Sequence, residues 1–195
     1  MAINSDRERL EPRDREEWRA WLQKNHESST GVWVVTRKKT SAGKGVTYEE
    51  AVEEAVAFGW IDSRVNRLDE RTFLQLYTPR KPGSTWSKSN KERVERLTAR
   101  GMMAMDGMAK VEAAKRDGSW NRLDRVMELR LPPDLQEALK ADMVAKKNFE
   151  AFADFLKKQL IFWVESAKRA GTREDRINKV VESARAGRMP GDEPT

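Results

Sequence analysis

Apolar residues fall into helical and strand periods that alternate along the first half of the chain. Trp18, Trp21 and Leu22 share one face of a helix expected over residues 12–25, with Pro12 tolerated in its first turn. His26-Glu-Ser-Ser-Thr-Gly breaks it, and the β-branched run Gly31-Val-Trp-Val-Val-Thr-Arg predicts a strand. Residues 40–46, with Gly43 and Gly45, read as a loop. Thr47-Tyr-Glu-Glu is a capping box in which Thr47 caps the helix and Glu50 bonds back. Tyr48, Ala51, Val52, Ala55 and Val56 then follow helical spacing to Gly59. Two strands are expected at 60–67 and 72–78. Strict alternation puts Trp60, Asp62 and Arg64 on one face of the first, with Ile61, Ser63 and Val65 on the other.

Pro79-Arg-Lys-Pro-Gly-Ser reads as a turn, after which Ser87 or Ser89 caps a basic helix to about Arg100. A further helix over 104–116 points Met105, Met108 and Val111 inward. From Asp117 the pattern is helical throughout: 135–140, a long helix over 143–168, and a restart at Thr172 running to 186 with Ile177, Val180, Val181 and Ala184 as its stripe. The fold class expected is α+β, a small and mostly antiparallel sheet with flanking helices, followed by an all-helical C-terminal part. The domains expected are 1–117 (α+β), 118–188 (helical) and a disordered tail over 189–195. Phe152, Phe155 and Trp163 offer more apolar surface than a short helix pair hides, so the helical part is expected to pack on the first.

Composition narrows the chemistry. The 195 residues include no cysteine and one histidine, His26, which excludes a disulfide scaffold, a thiolate zinc site and a cysteine nucleophile. Any metal would need oxygen ligands, and no cofactor or metal site is expected. The longest apolar run, 160–164, is far short of the ~20 residues of a membrane span. Residues 1–17 alternate acids and arginines without an apolar stretch, so no secretory signal is expected and a cytoplasmic location is the default. Charge is segregated: residues 79–100 carry seven bases against two acids, and 157–188 nine against four. Such segments suit an anionic partner or a solvated helix face. Nucleic acid is possible but not favoured, because no recognisable nucleic-acid-binding signature accompanies them.

The constellation best suited to binding is Trp60, Asp62, Arg64, Arg67, Arg80, Lys81, Trp86, Ser87 and Asn90. Arginine forks grip phosphate or carboxylate through two bonds at once, and a helix starting near Ser87 offers free backbone N–H groups. The same residues can instead form a salt-bridge network between sheet and helix, with the two tryptophans in the core. Under the binding reading Arg80 is partly exposed. His26 suits the last carbonyls of its helix better than general-base work, and Asp69 with Glu70 suits a solvated turn.

Several blocks carry a resemblance: Trp18-Arg-Ala-Trp-Leu, Gly31-Val-Trp-Val, Tyr48-Glu-Glu-Ala-Val-Glu-Glu-Ala, Phe58-Gly-Trp-Ile-Asp-Ser-Arg, Tyr77-Thr-Pro-Arg-Lys, Trp86-Ser-Lys-Ser-Asn-Lys and Trp163-Val-Glu-Ser-Ala-Lys-Arg with Thr172-Arg-Glu-Asp-Arg-Ile. In this order, over roughly 10–188, they resemble the YdeI/OmpD-associated family. Ala170-Gly171 stands where that family usually has Pro-Glu, and Ala57 where it usually has cysteine. The resemblance implies a link to protection against bacteriocins or cationic peptides and brings no reaction with it. A non-catalytic module that binds a small anionic ligand or a protein partner is the function expected. The alternatives are a nucleic-acid binder and an enzyme working with carboxylates and arginines.

Overall fold

In the computed structural model, which describes residues 7–41 and 43–191, Asp14 opens the first helix by accepting the backbone N–H of Glu17 at 2.9 Å. The chain divides into two units, Met1–Trp120 and Asn121–Thr195. The first runs β1 (Arg9–Leu10), α1 (Arg15–Asn25), β2 (Val32–Arg37), α2 (Tyr48–Ala57), β3 (Trp60–Arg67), β4 (Thr72–Pro79), α3 (Lys88–Ala99) and α4 (Met105–Arg116). The capping box forms as expected: Glu50 Oε2 takes the Thr47 N–H at 2.8 Å while Thr47 caps the Glu50 N–H. Gly59 (φ +73°) then reverses the chain from α2 into β3, in a backbone region an L side chain rarely adopts.

The sheet order is β1-β2-β4-β3, antiparallel except for the short parallel β1–β2 pair. One face packs Val32, Val34, Trp60 and Tyr77 against Trp18 and Leu22 of α1 and Ala51, Val52 and Ala55 of α2. Trp18 is fully buried, and its indole N–H donates to the Ala51 carbonyl at 3.0 Å. A tryptophan so placed removes about 150–250 Å² from water, an upper bound of about 4–6 kcal/mol. Trp33, Val35, Leu74 and Leu76 line the opposite face. Gly107 lets α4 approach the end of α2, since a Cβ there would stand 2.0 Å from the Ala57 carbonyl oxygen.

Strict alternation fails in β3. Asp62 pairs with Tyr77 and Val65 with Gln75, so three steps on β3 match two on β4. This bulge moves Val65 and Arg67 onto the face of Trp60 and Asp62 and takes Arg64 off it. Met105 also departs from expectation, at 88% exposed. The inward residues of α4 are Gly107, Val111 and Ala114, and Met105 lies about 200° from Gly107 around the helix.

In the second unit a 3₁₀ turn (Ser119–Asn121) leads into α5 (Arg122–Met127), α6 (Pro133–Ala141), α7 (Met143–Ala151), α8 (Asp154–Glu165) and α9 (Ala170–Arg185). Leu135, Leu139, Phe149, Leu160, Val164, Ile177 and Val180 form its core. The long helix expected over 143–168 is two helices, because Phe152 and Ala153 both adopt extended backbone. Unbroken, those residues would span about 39 Å, well beyond the 16-residue α9 on which α7 and α8 both pack. Helix α9 begins at Ala170, two residues before the expected restart, with Arg169 extended at its cap. Phe152 and Trp163 are covered inside this unit, whereas Phe155 is 62% exposed. Of the tail expected to be disordered, Met189 packs partly buried on the second core, and residues 192–195 lie outside the described residues.

Candidate functional site

Strand β4 ends at Pro79, and the Arg80 N–H bonds the Gly59 carbonyl at 3.0 Å, which turns the arginine inward. Its side chain is 3% exposed rather than partly exposed as expected. The guanidinium carbon sits 3.6 Å from the centre of the Trp86 ring, a cation–π stack, and Nη1 donates to the Thr85 carbonyl at 3.1 Å. Nε and Nη2 are buried without a hydrogen-bond partner, and no carboxylate lies within ion-pair distance among the described residues. Burial pushes the Arg80 pKa down to about 10, with the charge of Asp62 pulling it up, so the group stays cationic at neutral pH.

A cavity of about 80 Å³ opens against this side chain, lined also by Lys81, Gly83, Ser84, Trp86, Lys110 and Ser119. The Ser119 hydroxyl is buried and unpartnered too. Asp117 is on the wall, but its oxygens accept the backbone N–H groups of Gly83 and Ser119. The corner therefore presents N–H and O–H donors and cations around a small space, a set suited to an oxyanion. Ser119 and Lys110 escape sequence reasoning, because Gly118-Ser-Trp reads as punctuation and Lys110 as the outer face of α4.

The other residues singled out from the sequence are distributed differently. Trp60 is core, and its indole N–H donates to the His26 carbonyl. Asp62 takes the Tyr48 hydroxyl at 2.9 Å and makes no ion pair with Arg64, which is exposed beyond the bulge. Burial, helped by the adjacent Asp62 charge, pushes Tyr48 up to about 12, and burial raises Tyr77 as well. Arg67 and Asp62 line a separate groove with Gln75. Ser87 does cap α3 through the Asn90 N–H, while the Asn90 side-chain oxygen takes Arg93 Nη1 at 3.0 Å. Ser87 and Asn90 are thus consumed within the fold, and Lys81 and Trp86 are the residues brought together with Arg80.

Part of the basic character of 79–100 is likewise balanced internally. Arg93 grips Glu49 through two bonds of 3.0 and 2.7 Å, and Arg96 reaches Glu53 at 3.1 Å. Burial opposes the Arg93 charge, but the Glu49 bonds outweigh it and hold its pKa above the ordinary value. In the second unit Arg173 pairs with Asp134, and Arg176 caps the Trp163 carbonyl. These pairs leave less free positive charge for a phosphate backbone than composition suggests.

One group among the described residues has metal-ligand spacing: His26, Glu27 and Asp106, with ligand atoms within 4.8 Å of one another. His26 Nδ1 meets the Leu22 carbonyl and Nε2 meets Asp106, both at 2.9 Å. Two acceptors call for two ring N–H donors, so this is an imidazolium ion pair joining the end of α1 to the start of α4.

Comparison with known proteins assigns each unit a family. Residues 10–110 match the family described as Domain of unknown function (DUF8412), and residues 128–187 match the family described as Bacteriocin-protection, YdeI or OmpD-Associated. The resemblance seen in the sequence is thus confirmed in the second unit, while the blocks between Trp18 and Lys91 fall within the first match. No curated protein and no solved structure matches the chain. The chain belongs to the DUF8412 family over more than half of its length and carries a YdeI/OmpD-associated segment in its second unit.

Proposed function

We propose that the chain is a non-catalytic binding module whose first unit takes a small oxyanion, a phosphate or carboxylate group, at Arg80. The observation that carries this reading is a cation 3% exposed with two unpartnered nitrogens and no ion pair among the described residues. Burying an unpaired charge costs several kcal/mol, of which a cation–π contact and one hydrogen bond offset only part. A ligand oxyanion would supply the missing partner, with the Ser119 hydroxyl adding a donor and Lys81 and Lys110 drawing it in. The wider setting we propose, tolerance of bacteriocins or other cationic peptides, is supported by the description of the family matched at 128–187.

Thermal melting in inorganic phosphate and in chloride at matched ionic strength tests the reading. Phosphate should raise the melting temperature of the parent saturably, because it binds the native state alone. Arg80→Met keeps the stem against Trp86 and should remove that rise. Equal responses of parent and variant would leave the Arg80 corner without a ligand role. Sub-micromolar binding of DNA at physiological salt would instead favour the nucleic-acid reading.

A further inference from the structure

A second recess, about 480 Å³ and open to solvent, runs beside β3 and β4 and shares no lining residue with the Arg80 cavity. Strand register orders the charge along it. Asp62 lies opposite Tyr77, Val65 opposite Gln75 and Arg67 opposite Phe73, so Asp62 and Arg67 mark its two ends, about 13 Å apart, the span of four β4 residues at about 3.3 Å each. Lys38 follows Arg37, the partner of Thr72, and so stands at the Arg67 end. Between the ends the lining is apolar: Val65, Phe73 and the Tyr48 ring.

The acid end holds one unused acceptor. Asp62 Oδ2 takes the Tyr48 hydroxyl, and no hydrogen bond reaches Oδ1 among the described residues. Midway along, opposite Val65, Gln75 is 1% exposed, and its amide N–H donates to the Arg64 carbonyl at 3.3 Å, a bond that fixes the amide and leaves Oε1 buried and unpartnered. At the basic end Lys38 Nζ is held by the carbonyls of Asp69 and Glu70, leaving a third N–H, and Arg67 forms no ion pair among the described residues. A simple anion meets Asp62, and a simple cation meets Lys38 and Arg67.

We propose that this groove binds a short linear zwitterion with an apolar middle, of the ω-amino carboxylic acid class. Its ammonium lies on Asp62, its carboxylate on Arg67 and Lys38, and its methylene chain covers Val65 and Phe73. The bulge in β3 makes the site, because without it Val65 and Arg67 would face the other side of the sheet.

Calorimetric titration of the full chain with ω-aminooctanoate, octanoate and octylamine tests this directly. The amino acid should bind ~tenfold or more tightly than either single-ended analogue. Asp62→Asn should weaken ω-aminooctanoate and octylamine and leave octanoate unchanged, and Arg67→Ala should weaken ω-aminooctanoate and octanoate and leave octylamine unchanged. Octanoate binding as tightly as ω-aminooctanoate would overturn the proposal, as would no binding of the amino acid up to about 10 mM. The ligand series on the parent decides the matter even where a variant fails to fold. Phosphate-induced stabilisation through Arg80 is scored separately, so either site can fail without the other.

Discussion

The seam between α1, α2 and α3 and the corner where β4 ends both hold arginine, half-buried in the seam and buried at the corner, with opposite balance. In the seam, Glu54 is fully buried and takes Arg15 Nε and Arg19 Nη1, each at 2.6 Å, while Glu53 takes Arg15 Nη1 and Arg96. Arg15 keeps one unpartnered nitrogen, but its charge is matched. Burial opposes that charge, yet the bonds to Glu54 and Glu53 hold its pKa above the ordinary value. At the corner, Arg80 is more deeply buried and makes no ion pair among the described residues, and burial pulls its pKa down. That contrast, arginines paired in one place and one left unpaired in another, is what the proposed oxyanion site rests on.

The largest effect should come from breaking the seam. Glu54→Ala takes the carboxylate from Arg19 and one of two from Arg15, empties a fully buried position, and should cost about 3–5 kcal/mol in urea unfolding. A loss below about 1 kcal/mol would mean that the seam holds no more than surface pairs do. The corner should answer differently. Arg80→Ala loses the stem packed on Trp86 and should cost about 1–3 kcal/mol. Arg80→Met removes the unpaired charge while keeping volume, and should leave stability within about 1 kcal/mol or raise it. A loss from Arg80→Met as large as that from Glu54→Ala would erase the difference between the two regions.

A smaller effect is pH-dependent. Burial opposes the His26 imidazolium, but the bonds to Asp106 and the Leu22 carbonyl, with the Asp106 charge, hold its pKa above the ordinary value. Its contribution is therefore present in full below about pH 6.5, the unfolded value, and is lost as pH rises through the folded value. Asp106→Asn should flatten the dependence of the urea midpoint over that window, and a parent midpoint that rises through it would reverse the assignment. Smallest of all should be Arg96→Ala, at the exposed rim of the seam, about 0.2–1 kcal/mol and reduced by salt.

Where local chemistry decides structure, the sequence is legible. The Thr47–Glu50 box, the Gly59 stop and the Ser87 cap are each complete within a few residues, and all three form. The bulge in β3 has no such marker: Ser63 and Arg64 are ordinary strand residues, and the extra residue is absorbed by pairing with β4. Gln75, polar in the middle of Phe73-Leu-Gln-Leu-Tyr, is the one local sign that this strand serves something besides a core. Arg80 is the sharpest case. Pro79-Arg-Lys-Pro-Gly-Ser has the composition of an exposed turn, and the arginine is buried by Trp86, six residues on, and by the carbonyl of Gly59. The break at Phe152 and Ala153 also lacks a proline or glycine, and comes from packing two helices along one.

The difference between seam and corner is most directly read from the arginine Nε–H resonances during a phosphate titration. The Arg80 signal should shift saturably with phosphate and not with chloride, while the Arg15 signal, bonded to Glu54, stays in place. An Arg80 signal that ignores phosphate, or an Arg15 signal that moves with it equally, would contradict the account.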